Sequence, residues 1–313
     1  MEGRCSGGAL EHRSHLRTRL AMQWWFARCS TAVYAGHVTG PEGRPVIGAN
    51  GGRLNETHRD DWNTHWDEYS DAASENPAQE YRRKVIAGLL GIDGAGQGAR
   101  VVDIGSGQGD MARDIRRELP SAQILGLELS RSGVEISRKK VPDATFVERN
   151  LLAQEEIPLE LRNWGTHAVC SEVIEHVDDP ARLLRNARGY LQSSALLVVT
   201  APGGPMSAFD KHIGHRTHFR PETIRRVLEN AGYAVERVDR AGFPFFNLYR
   251  CVVILRGRKL IDDVSAERNP SGSWLAKTVM RLFHLLFRMN LGSSPWGWQM
   301  VATARPSRSG NDD

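Results

Sequence analysis

The stretch from Ala99 to Asp110, ARVVDIGSGQGD, is the strongest constraint on how this 313-residue chain folds. Val101 and Val102 lead through Asp103 and Ile104 into Gly105-Ser106-Gly107-Gln108-Gly109. An apolar run that breaks at a glycine-rich turn and resumes with helical spacing predicts a buried strand over 100–104 and a helix from Asp110. Glycine takes positive φ in such a turn, and without a Cβ it lets a ligand lie against bare backbone. The helix start beyond it offers unpaired N–H groups.

Glycine spacing narrows the ligand. A dinucleotide site wants G-x-G-x-x-G, with the pyrophosphate over the helix N-terminus. Here the spacing is G-x-G-x-G, and Asp103 precedes it. An acid beside the loop opposes a phosphate and suits an ammonium group, which disfavours a nicotinamide-dependent reductase. The stretch resembles motif I of the class I S-adenosylmethionine-dependent methyltransferases. That resemblance implies S-adenosylmethionine as cofactor, bound by Asp103, Gly105, Ser106, Gly107 and Gly109. It also implies a Rossmann-like, doubly wound, seven-stranded sheet.

The chain beyond the loop alternates in the same sense. Strands are expected over 123–127, 145–148, 167–170, 195–200 and 234–240, with helices over 110–118, 131–140, 180–191 and 221–231. Such alternation implies an α/β fold with a parallel sheet and ligands at the carboxyl ends of its strands. Glu128 ends the second strand, 25 positions after Asp103. A carboxylate there can accept from both ribose hydroxyls, with Leu129 beside it. Asn150 resembles the position that contacts the adenine ring, with Leu151 next to it; Asn150-Leu151 also reads as a plain turn. By the same resemblance, Trp298–Ala304 is an antiparallel last strand.

Cys170 to Pro180 reads CSEVIEHVDDP. Glu172 and Glu175 are one helical turn apart and so can share a face. The stretch is similar to the S-E-V-x-E-H-V of ubiquinone-pathway O-methyltransferases. It also resembles the E-V-I-E-H of small-RNA 3′-terminal 2′-O-methyltransferases, which bind a divalent metal together with a later histidine matching His215. That resemblance implies Mg²⁺ or Mn²⁺ held by Glu172, Glu175, His176 and His215, a set suited to a partly hydrated ion. The plainer reading is that Glu172 lines the cofactor site and His176 packs. Three histidines, His212, His215 and His218, crowd the stretch from Lys211 to Phe219. His215 is the expected base, with His212 and Asp210 behind it. Arg216 could pair with an anionic acceptor.

The expected reaction is methyl transfer to an oxygen of a small molecule: a phenol, a quinone precursor or a sugar hydroxyl. The enzymatic rival is metal-dependent RNA 2′-O-methylation, but the chain carries no recognisable RNA-binding module. The rival outside enzymes is a non-catalytic cofactor-binding partner protein. A net charge of +4 permits an anionic partner without demanding one. Four scattered cysteines lack metal-ligand spacing and suggest no disulfide framework, so a reducing cytoplasm is the default. No apolar run reaches the roughly 18 residues of a membrane span.

Five regions are expected. Residues 1–55 read as a disordered extension, or as sequence upstream of a start at Met22. Residues 56–98 form a helical cap, one helix carrying Trp62, Trp66 and Tyr69 and a second starting at Asn76-Pro77. Tyr69, Tyr81 and Arg82 are candidates for an acceptor site there. The cofactor core spans 99–242, an insertion spans 243–297, and the last strand and tail span 298–313. Within the insertion, Trp274–Met289 is an amphipathic helix punctuated by Lys277, Arg281 and Arg288. It fits three roles: packing on the domain or in a homodimer, a lid over a hydrophobic acceptor, or peripheral contact with a membrane surface.

Overall fold

The computed structural model describes residues 76–91, 98–265 and 274–307. The expected 1–55 extension, the helix around Trp62, Trp66 and Tyr69, and residues 92–97 at the end of the expected cap lie outside them.

Helix α1 (Pro77–Leu90) starts where Asn76 caps it: Ala78 N donates to Asn76 Oδ1 at 2.9 Å, and Pro77 fills the first turn. Gly91 ends it with φ 62°. The core then alternates: β1 (Arg100–Ile104), α2 (Asp110–Glu118), β2 (Gln123–Glu128), α3 (Arg131–Lys140), β3 (Thr145–Glu148), β4 (Gly165–Ser171), α4 (Pro180–Arg188) and β5 (Leu191–Pro202). A short helix α5 (Ala208–His212) precedes α6 (Pro221–Asn230) and β6 (Tyr233–Ala241). Two further helices, α7 (Phe245–Ser265) and α8 (Trp274–Leu286), separate β6 from β7 (Gln299–Pro306).

The seven strands form one sheet in the order β3-β2-β1-β4-β5-β7-β6. β1 to β5 pair in parallel, and β7 runs antiparallel between β5 and β6. This is the Rossmann-like, doubly wound sheet that the sequence implied, including its antiparallel last strand. Chain order reverses between β1 and β4, and a crevice opens at their carboxyl ends.

Alternation along the strands builds a core on each face. Val102, Ile104 and Leu127 face one side, with Leu184 of α4 and Leu228 of α6. Val101, Ile124 and Val169 face the other, with Ile86 of α1 and Ile115 of α2. Each such side chain contributes about 1.5–3 kcal/mol on burial.

Many element ends shift by a few residues from expectation, and two of the shifts have a local cause. The helix expected to reach Leu191 stops at Arg188, and Leu191 already belongs to β5, where it pairs with Gly165. Gly189 breaks the helix, and burial of Tyr190 and Leu191 pulls the chain into the sheet. The amphipathic helix expected to reach Met289 tightens into a 3₁₀ turn at Phe287–Met289.

The insertion turns an aromatic face inward onto α1. Tyr81 lies 5.6 Å, ring to ring, from both Phe246 and Phe287, and Tyr249 stacks edge-on against Phe283. Among the described residues, no helix is long and apolar enough to cross a membrane.

Candidate functional site

The glycine turn is built around backbone that other residues take up only with strain. Gly105, Gly107 and Gly109 all have positive φ, at 71°, 53° and 78°. A Cβ on Gly105 would sit 2.5 Å from Val173 Cγ2, so the turn excludes any side chain there. Gly105 N donates to Leu127 O at 2.7 Å, tying the turn to the end of β2. Gly109 caps α2. Ser106 is buried within the turn and does not line the cleft.

Glu128 is fixed from both sides. Its Oε2 accepts from Gly107 N at 2.8 Å, and its Oε1 accepts from Ser130 N at 2.9 Å. Asp103 is 3% exposed, and its Oδ2 has no hydrogen-bond partner. Burial first, and then the charge of Glu128, push its pKa up to about 7. An orphaned buried carboxylate oxygen fits a ligand that brings positive charge.

A cleft follows at the strand ends. Gly105, Leu127, Glu128, Leu129, Asn150, Leu151, Glu172, Val173 and His176 line it. Asn150 Oδ1 accepts from Leu152 N at 2.9 Å, so its oxygen holds the turn and its NH₂ group is what a purine edge would meet. A roomier hollow of about 420 Å³, lined by Arg116, Gln123, Asp143, Thr145 and Trp164, lies at the amino-terminal ends of β2 and β3, away from the glycine turn.

The structure separates the two glutamates that spacing had placed on one helical face. Glu172 follows β4 with φ 56°, a conformation that costs about 1–3 kcal/mol in a residue with a Cβ. Its carboxylate accepts from Gln299 Nε2 at 2.8 Å and Thr200 Oγ1 at 3.2 Å, and lies 3.5 Å from Arg82 Nε. It thereby ties α1 to the sheet. Glu175 and His176 sit on a separate 3₁₀ turn, Ile174–His176.

Glu175, His176 and His215 do come together. One donor atom of each lies within 4.8 Å of the others. Glu175 is 0% exposed, and neither carboxylate oxygen has a hydrogen-bond partner. Burial first, and then Glu172, push its pKa well above the carboxylate range. His215 is 7% exposed, and its ring meets that of His176 edge-on at 4.7 Å. Burial, reinforced by His176, lowers its pKa to about 2, so the ring is neutral at physiological pH. The neutral ring of His215, the imidazole of His176 and a buried carboxyl with no hydrogen bond form a donor set that could hold a divalent cation.

Asp210 stands behind His215 as expected, one donor atom each of Asp210, His215 and His218 lying within 4.8 Å of the others, whereas His212 lies elsewhere. Asp210 accepts from Ser207 N and Oγ at 2.7 and 2.8 Å, and takes both arms of Arg250 at 3.0 and 2.7 Å. Burial works against its charge, but Arg250 and Ser207 outweigh it and hold the pKa at about 2. Asp210 therefore fastens α5 to α7 and has no proton affinity to spare near neutral pH. His212 is exposed at the end of α5. Arg216 pairs with Asp178, while its N–H donates to Glu175 O at 2.8 Å. Arg250 and Gln299 escaped sequence reasoning because they reach the site from the insertion and the last strand, with no local motif.

Residues 75–238 match the family model described as a methyltransferase domain, just over half of the chain. The chain is 27% identical over 120 residues to the demethylmenaquinone methyltransferase of Thermotoga maritima, covering 38% of this chain and 49% of that one. To the ubiquinone biosynthesis O-methyltransferase of Xanthomonas axonopodis pv. citri it is 25% identical over 158 residues, covering 45% and 65%. The chain thus spans about half to two thirds of the length of these relatives. Among solved structures, the [4+2]-cyclase SpnF is similar at a TM-score of 0.51 and 17% identity, covering 74% of this chain and 82% of that one. That likeness speaks to the fold alone, which hosts more than one chemistry. The family match runs unbroken from α1 through the glycine turn and the Glu175–His176 turn to β6, and the chain belongs to the methyltransferase domain family.

Proposed function

We propose that this protein is an S-adenosylmethionine-dependent methyltransferase that methylates an oxygen of a small-molecule acceptor, with a divalent cation, Mg²⁺ or Mn²⁺, at Glu175, His176 and His215. S-adenosylmethionine supplies an electrophilic methyl on a sulfonium, and the chief demand on the protein is in-line alignment. Glu128 takes the ribose hydroxyls, and Asp103 offsets the ammonium charge. The Asn150 amide meets the adenine edge between Leu129 and Leu151. Glu172 holds the mouth of the cleft to α1 through Arg82.

One observation carries the metal and the oxygen acceptor. Glu175 is a wholly buried carboxyl with no hydrogen bond to either oxygen, set beside two imidazoles. Such a group needs a proton or a cation. A bound cation lowers the pKa of an acceptor hydroxyl and orients it. His215 contributes a neutral ring, ready to ligate or to take the hydroxyl proton. Asp210 and His212 serve as scaffold and surface residue respectively.

The test is a Mn²⁺ titration of the protein loaded with S-adenosylhomocysteine, beside Glu175→Gln. Transfer of labelled methyl to catechols, quinone precursors and sugars follows, with and without chelator. Saturable Mn²⁺ binding lost in Glu175→Gln, and chelator-sensitive transfer to a hydroxyl, support the reading. Absence of Mn²⁺ binding, or transfer to amines or carbons alone, overturns it.

A further inference from the structure

The two helices between β6 and β7 show a second face that the cleft does not use. Among the described residues, ten of the twelve large apolar side chains left exposed lie between 243 and 297. Leu248, Val252 and Leu255 recur at helical spacing along α7, and Leu255 is 84% exposed. Leu282 and Leu285 lie on α8, with Met289 just beyond it. None of these residues lines the cleft. The inward aromatic face of the same helices is already occupied by α1.

Charge selects what covers the outward face. Residues 243–297 hold eight Lys and Arg against three Asp and Glu, a net of +5, while the whole chain is +4. The rest of the protein is therefore slightly acidic, and its entire basic excess sits in the segment that shows the apolar side chains. Arg256, Arg281 and Arg288 are exposed among them. A second copy docking face to face would set these arginines against one another. An anionic lipid surface meets both features at once, with apolar side chains in the acyl boundary and arginines among the headgroups.

We propose that the α7–α8 face is a docking surface for anionic membranes, holding the protein in the plane of the bilayer without spanning it. The surface is independent of the chemistry proposed for the cleft.

Co-sedimentation of the full chain with vesicles tests this, using phosphatidylcholine alone and mixed with phosphatidylglycerol. Two double variants accompany it, Leu255→Glu with Leu285→Glu and Arg281→Glu with Arg288→Glu. All four positions are exposed, so both variants should fold and keep the wild-type affinity for S-adenosylhomocysteine. The wild type is expected to bind the anionic vesicles about tenfold or more tightly than the neutral ones, to release them at high salt, and to lose binding in both variants. Failure to bind, or equal binding to both vesicle types, overturns the proposal. So does a dimer broken by Leu255→Glu with Leu285→Glu and showing no vesicle binding, which would assign the face to a second copy.

Discussion

His215 Nδ1 lies 3.2 Å from His218 Nε2, and His218 Nδ1 lies 3.1 Å from the carbonyl oxygen of Gly204. A carbonyl only accepts, so His218 Nδ1 carries the proton. Burial lowers the pKa of both rings, so both are neutral, and His218 Nε2 is then an acceptor. His215 must donate from Nδ1, which leaves its lone pair on Nε2. The Gly204–His218 pair thus sets the tautomer of His215, the histidine proposed to serve the reaction.

His218→Phe removes that acceptor while keeping a ring. Nitrogen-15 spectra of the imidazoles should show His215 moving from one tautomer to a mixture. Activity or metal affinity should fall about 10–100-fold, as for other partners that orient a ligating histidine. An unchanged His215 spectrum would contradict the assignment.

Asp103 predicts a pH dependence with a definite sign. Its pKa is about 7 in the folded chain, against an ordinary carboxyl value of 3.8. Between those values the native state holds a proton that the unfolded chain has lost. Stability therefore declines as pH rises through that window, by at most about 1.4 kcal/mol per pH unit. Asp103→Asn removes the slope. Urea midpoints at pH 5 and pH 8 should show the variant gaining on the wild type at the higher pH. A constant gap between the two proteins would contradict the burial argument.

Arg250 and Asp210 form a two-armed ion pair with Asp210 almost fully buried. Arg250→Ala leaves that carboxylate without its counter-charge and should cost about 3–5 kcal/mol in chemical denaturation. Adding Asp210→Asn should recover part of the loss, since the amide carries no charge to strand. A cost below about 1 kcal/mol would mean that water or another donor replaces the arginine.

Much of this architecture was legible because its boundaries carry chemical punctuation. Pro77, Asp110, Pro180 and Pro221 each stand at a helix start, as the sequence placed them. The strand over Arg100–Ile104 could be nothing else between a glycine linker and a glycine turn. Leu191 misled because an apolar residue after Gly189 continues a helical stripe as well as it starts a strand, and only pairing with Gly165 decides. Glu172 misled for a different reason. Its spacing to Glu175 means a shared face only if the backbone is helical, and positive φ at Glu172 breaks that condition. Arg250 was invisible because it meets Asp210 across 40 residues, through a contact that only the assembled insertion creates.

The most direct test of the account is calorimetric titration of S-adenosylhomocysteine into the full chain and into Glu128→Ala. The account predicts saturable one-to-one binding, weakened by about 1–3 kcal/mol in the variant, since Glu128 orders Gly107 and Ser130 and is the residue proposed to take the ribose hydroxyls. Absence of binding to the wild type, or equal affinity in the variant, would contradict the assignment of the cleft as the cofactor site.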